Sequence, residues 1–119
     1  MYKNLAIWNE AIALIKIIYS IADNLPKSEE YNLKAQLKRA IVSVALNIAE
    51  GKNRKTAKDF ANFLNMASGS LSEASAILVI SEELSFTEVD KDIYDKIDVL
   101  NRRINALRLT LIRKNTNEK

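Results

Sequence analysis

One proline and two glycines are the only residues of their kind in this chain. Proline stops helices, and glycine supplies the tight turns that β-sheets need in number. With Pro26, Gly51 and Gly69 as the sole punctuation across 119 residues, the backbone has few places to reverse. The sequence therefore predicts an all-α fold of a few long helices in one domain, and excludes a sandwich or barrel of many short strands.

Apolar spacing locates those helices. Leu5, Trp8, Ile12, Ile15, Tyr19 and Ala22 recur every three or four residues, which is one helical face. This predicts a helix over about 5–24, with Asn4 as its N-cap and Asn24-Leu25-Pro26 as its stop. A second helix over about 29–50 follows from Leu33, Leu37, Ile41, Val44 and Ile48, with Ser28 as cap and Gly51 as a left-handed C-terminal residue. Thr56-Ala57-Lys58-Asp59 has the capping-box pattern and opens a third helix over about 57–84, with Phe60, Leu64, Ala67, Leu71, Ala74 and Leu78 on its face. Thr87 to Asp90 repeats the signal. The fourth helix, about 88–114, carries the stripe Ile93, Ile97, Leu100, Ile104, Leu107 and Leu111, and residues 115–119 read as a frayed tail. Short connections make neighbours antiparallel, so the expected architecture is an up-down-up-down four-helix bundle.

Composition narrows the chemistry. There is no cysteine and no histidine. That removes thiolate and Ser-His-Asp nucleophiles, Cys- or His-ligated metal, the Glu-x-x-His di-iron pattern and the usual general base. No cofactor is implied. The first apolar stretch is broken by Asn9, Glu10 and Lys16, so it reads neither as a signal peptide nor as a membrane span, and a cytoplasmic location without membrane contact is expected.

Some features exceed what a lone bundle needs. The second helix is apolar nearly all round, adding Val42, Ala45, Leu46 and Ala49 to its stripe. This predicts a partner subunit, or else a wide core face padded with alanine. The third helix holds a run of small residues around Gly69, which predicts close approach of another helix, from the same bundle or from a second copy. Glu50 and Glu73 are candidates for interior carboxylates, with Glu73 level with Lys34 and Lys38 as a structural ion pair. Ser43 and Asn47 read as satisfied interior polar groups.

Charge is sorted by topology. The net charge is only +3, but the antiparallel arrangement gathers Lys52, Arg54, Lys55, Lys58, Arg108 and Arg113 at the end that holds both termini. Acidic residues from Asp23 to Glu30 and from Glu82 to Asp95 gather at the opposite end, and Arg102 and Arg103 lie between. Lys52, Arg54 and Lys55 stand just ahead of a helix N-terminus, where free N–H groups and a favourable dipole suit phosphate.

The strings "WNEA", "LP", "Y.L..QL.RA..S...NIAEG..R" and "F..FLN.A.GSLSE" then carry a likeness. From about Leu5 to about Arg113 the chain resembles the small four-helix-bundle proteins encoded in intervening sequences of bacterial large-subunit ribosomal RNA genes. The accessory variability determinant of diversity-generating retroelements is related to them. The positions that match are Gln36, Arg39, Ser43, Asn47, Glu50, Gly51, Arg54, Phe60, Phe63, Leu64, Gly69, Ser70 and Glu73. The resemblance implies a ring-like homopentamer with a basic surface for nucleic acid or a reverse transcriptase. The family often has proline near position 45. Here it is Ala45, so a straighter second helix is expected.

Together these readings point to a non-catalytic oligomeric module that binds structured RNA or DNA, or a nucleic-acid enzyme. The expected contacts are Lys52, Arg54, Lys55 and Lys58, supported by Arg102, Arg103, Arg108 and Arg113. The alternative is a protein-interaction scaffold that docks its partner at the acidic end or in the ring's pore.

Overall fold

The computed structural model describes residues 1–117. Four helices follow one another: α1 (Ala6–Asp23), α2 (Leu33–Lys52), α3 (Ala57–Glu83) and α4 (Lys91–Asn117). Single 3-10 turns at Tyr2–Asn4 and Lys27–Glu29 precede α1 and α2. No strand occurs among the described residues. Contacts between sequence-distant residues fix the up-down-up-down order. Lys38 at the start of α2 reaches Asp23 at the end of α1 at 2.7 Å. Arg103 midway along α4 reaches Glu10 near the start of α1 at 2.5 Å. Tyr94 at the start of α4 donates to Glu82 at the end of α3. The result is a rod of 52 × 24 × 21 Å.

The core is built from the expected stripes on three helices. Leu37, Ile41, Val44 and Ile48 of α2 are fully buried, as are Leu64, Leu71 and Leu78 of α3 and Leu100 and Ile104 of α4. On α1 the buried ridge is Ile7, Ala11, Leu14, Ile18 and Ala22, while Trp8, Ile12, Ile15 and Tyr19 pack at its edge. This helix is apolar over more than half its circumference, so spacing alone did not choose between two neighbouring ridges. By length and composition α3 is apolar enough to cross a membrane. Its core stripe packs between α2 and α4, the two tightest seams of the bundle.

Several helix ends differ from expectation for local reasons. Asn4 does not cap α1. It sits in the 3-10 turn, and Leu5 takes the N-cap position. Ser28 lies in the second 3-10 turn, so α2 starts at Leu33, where Asn32 accepts from Gln36 Nε2 at 2.8 Å and donates to Glu29 at 2.9 Å. The helix then runs unbroken through Ala45 to Lys52. α4 begins at Lys91, and its helix includes residues 115–117 of the expected frayed tail. Residues 118–119 lie outside the described residues.

Gly51 is not the left-handed cap. It is buried within α2 in helical conformation. A Cβ there would stand 2.8 Å from Phe63 Cβ and 2.9 Å from Phe60 Cδ1. Glycine is needed because α3 crosses α2 too closely for any side chain. At Gly69 no other helix of the bundle comes close: beyond the backbone of its own helix, none of the described residues lies within 4 Å of the position its Cβ would take, so close approach within the protomer is not the reason for this glycine. The padding reading holds for most of α2, since Ala45 is buried and Val42 and Ala49 are half-buried. Leu46 alone stands out, at 60% exposed.

Candidate nucleic-acid interface

The site grows from the α2–α3 elbow. α2 ends because Asn53 closes the last turn, its N–H shared among the Ala49, Glu50 and Gly51 carbonyls. Arg54 N–H then bonds the Gly51 carbonyl at 3.0 Å. Thr56 starts α3 as read from the sequence, its Oγ1 accepting from the Asp59 N–H at 3.1 Å. That contact occupies one of the free donors at the helix N-terminus, and Asp59 places a carboxylate in the first turn. The anion-attracting field is therefore partly answered from within the chain.

Phe60 and Phe63 fold back over Gly51, and their rings carry the cations. Lys52 Nζ lies 5.9 Å from the Phe60 ring centre, and the Arg54 guanidinium 4.6 Å from that of Phe63. Arg54 also bonds Glu50 at 2.6 Å. The motif from Asn47 to Phe63 is thus one mechanical unit. Glycine lets the aromatic rings in, the rings seat the basic side chains, and Glu50 steadies Arg54. Asn47 contributes its own tie, donating from Nδ2 to the Ser43 carbonyl at 2.8 Å. Glu50 is exposed rather than interior, and so is Glu73, which has no ion pair among the described residues. Lys34 and Lys38 pair with Asp23 and Glu30 instead, because the α1–α2 turn brings those carboxylates nearer.

The eight expected contact residues fall into three places. Lys52, Arg54 and Lys55 are exposed on the elbow. Lys58 and Arg108 converge, lining one cleft of about 240 Å³ between α3 and α4. Arg102, Arg103 and Arg113 are exposed along α4 and do not join either group; Arg103 is engaged by Glu10 and Arg102 Nε by the Asp98 carbonyl at 3.5 Å. Sequence reasoning missed the amides beside Lys58 and Arg108: Asn62, Asn65 and Asn115 line the same cleft. Their signal was present, since asparagine is a poor choice for an exposed helix position.

At the acidic end a second concavity lies along the loose α1–α4 seam. It measures about 390 Å³, with an apolar floor including Ala13, Leu14, Ile17 and Val99 and a rim of Glu10, Asp92 and Asp95 with Lys96. Two carboxylates at this end, Glu82 and Asp23, are shifted by their neighbours. The Tyr94 O–H, then the Val89 N–H, hold Glu82 below its ordinary value of 4.5, while burial and Glu82 push Tyr94 above the ordinary tyrosine range. The Lys38 ammonium donates to Asp23 and lowers it, and Lys38 rises in return.

Comparison with solved structures gives a crystal structure of a protein with unknown function from the S23 ribosomal protein family of Bacteroides thetaiotaomicron. The match has 21% identity and a TM-score of 0.70, covering 90% of this chain and 98% of that one. At that identity the likeness speaks for the fold. No curated protein matches the chain. The family described as 23S rRNA-intervening sequence protein matches residues 3–106. With that match spanning α1 to most of α4, and with the elbow motif resolved as one structural unit, the chain belongs to the 23S rRNA-intervening sequence protein family.

Proposed function

We propose that this protein is a non-catalytic helical module that binds structured RNA, or a nucleic-acid enzyme such as a reverse transcriptase, through its basic end. The observation that carries the reading is the elbow itself, where Lys52 and Arg54 are stationed over Phe60 and Phe63 rather than left to roam. Cations seated in advance lose less freedom when they meet phosphate. The family's name, which refers to an intervening sequence of ribosomal RNA, supports the same direction. Phosphate contacts would position the RNA and supply most of the affinity.

Assembly with copies of itself belongs to the same proposal. Met66, Gly69, Glu73, Ala76 and Ile80 form one outward strip on α3, flanked by exposed Val79 and Leu84. A ring or other closed assembly would repeat each weak basic patch on one particle and multiply its affinity. The test is fluorescence anisotropy with a structured RNA at low salt, comparing the wild type with the Lys52→Ala, Arg54→Ala, Lys55→Ala triple variant. Loss of at least tenfold in affinity supports the reading. Equal binding by both proteins removes the elbow from it.

The α1–α4 groove favours a second reading, a scaffold that docks a basic, apolar segment of a protein at the acidic end. Under this reading a partner is retained at high salt by the wild type and lost by Ala13→Arg, which fills the groove. RNA-dependent retention that Ala13→Arg leaves intact would count against it.

A further inference from the structure

The cleft between α3 and α4 differs in kind from the elbow. Its polar lining is Lys58, Arg108 and three asparagines, over a small apolar floor of Ala61 and Ile112. Among the described residues no carboxylate lines it and neither cation is paired with one. Arg108 is half-buried and held: its Nε donates to Asn105 Oδ1 at 3.3 Å. Asn105 in turn donates to Asn101 at 3.4 Å and to Ser68 at 3.5 Å, and Ser68 donates to Asn101 at 2.6 Å. This chain of bonds ties the two helices and, among the described residues, leaves the two terminal amines of Arg108 uncommitted, the fork that matches a phosphate. Asn62 and Asn65 sit one turn apart on α3 at exposed positions where lysine, glutamate or alanine would make a better helix. What an asparagine offers in their place is a paired donor and acceptor, the complement of an adenine edge.

Resting on the nucleic-acid reading above, we propose that this cleft takes one unpaired adenine nucleotide of the RNA. Its phosphate lies between Lys58 and Arg108, and its base edge meets the amides of Asn62, Asn65 and Asn115. The elbow then holds phosphates without regard to sequence, while the cleft reads a base. Unstacked bases in loops and bulges are the part of RNA whose edges are open to such reading. Ile112 and Ala61 offer the base face an apolar surface in a cleft that no aromatic ring lines.

The test is a ¹⁵N-resolved NMR titration of the full chain with 5′-AMP, 5′-UMP and inorganic phosphate. The expected result is shifts confined to residues 58–65 and 105–115, with AMP binding roughly tenfold more tightly than UMP. Asn62→Ala with Asn65→Ala should bring AMP down to the level of phosphate, whereas Lys58→Ala with Arg108→Ala should weaken all three ligands. Alanine suits both exposed helix positions, so the asparagine variant keeps its fold. Equal binding of AMP and phosphate, or shifts elsewhere, overturns the proposal. The two readings separate in the RNA assay. If wild type binds RNA and the asparagine variant keeps both affinity and base preference, the cleft proposal falls and the elbow stands. If AMP fills the cleft while the elbow triple variant binds RNA as well as wild type, the elbow falls and the cleft stands.

Discussion

The two glycines of this chain look alike in sequence and are opposites in the structure. Gly51 is enclosed by Phe60 and Phe63, so Gly51→Ala forces the Phe63 Cβ, and the backbone that carries it, to move. Overpacking of this kind costs about 1–3 kcal/mol, which chemical denaturation would read as a lower midpoint. The variant should also disturb Arg54, whose seat is the Phe63 ring. Gly69 faces open space within the protomer, so Gly69→Ala should stabilise the isolated protomer by up to about 1 kcal/mol. If instead Gly69→Ala lowers the melting temperature of the assembled protein, a second copy approaches α3 at that point. Neither outcome was legible from spacing, because a glycine's neighbours come from another helix. Ser85 is a third special residue. It holds φ 61 in the left-handed region, where a side chain is strained. Ser85→Gly should therefore stabilise by about 1 kcal/mol in the same denaturation assay.

Helix bodies were legible and helix ends were less so. The stripes on α2, α3 and α4 are the buried ones because three- and four-residue spacing is a property of the helix itself. Ends depend on which local bond wins. Thr56 caps α3 as read, yet Ser28 and Asn4 are drawn into 3-10 turns. At the far end of α3, Ser85 N–H bonds the Glu82 carbonyl and Phe86 N–H the Ser81 carbonyl, both at 2.9 Å, a double closure that no glycine announces. The link to α4 then rests on the Glu82 carboxylate, which accepts from Tyr94 and Val89. Its folded pKa is lowered, so its stabilisation is present above the ordinary value of 4.5 and is lost as pH falls through the folded value. Tyr94 is raised above its ordinary 10.0, so its share is present below that pH and is lost as pH rises above it. The gap in melting temperature between wild type and Tyr94→Phe should be widest near neutrality and narrow at both extremes.

At the scale of the whole molecule, topology turns a mild net charge into two unlike ends. That sorting could be read from the sequence once antiparallel order was assumed, and Lys58 and Arg108 do meet across α3 and α4. The asparagines that join them, and the apolar groove at the opposite end, needed side chains from two helices to be seen together. The outward strip on α3 predicts self-association. Light scattering at micromolar concentration should give a multiple of the protomer mass, reduced by Ile80→Glu, which puts charge on that strip. A monomeric wild type would remove the ring from the account.

The most direct test of the central claim is the salt dependence of RNA binding. The logarithm of the binding constant should fall linearly with the logarithm of salt concentration, by about 0.7–0.9 for each phosphate neutralised. The Lys52→Ala, Arg54→Ala, Lys55→Ala variant should flatten that slope by about two to three units. A wild-type affinity that does not change with salt, or a slope that the triple variant leaves unchanged, would contradict the elbow as a phosphate-holding surface.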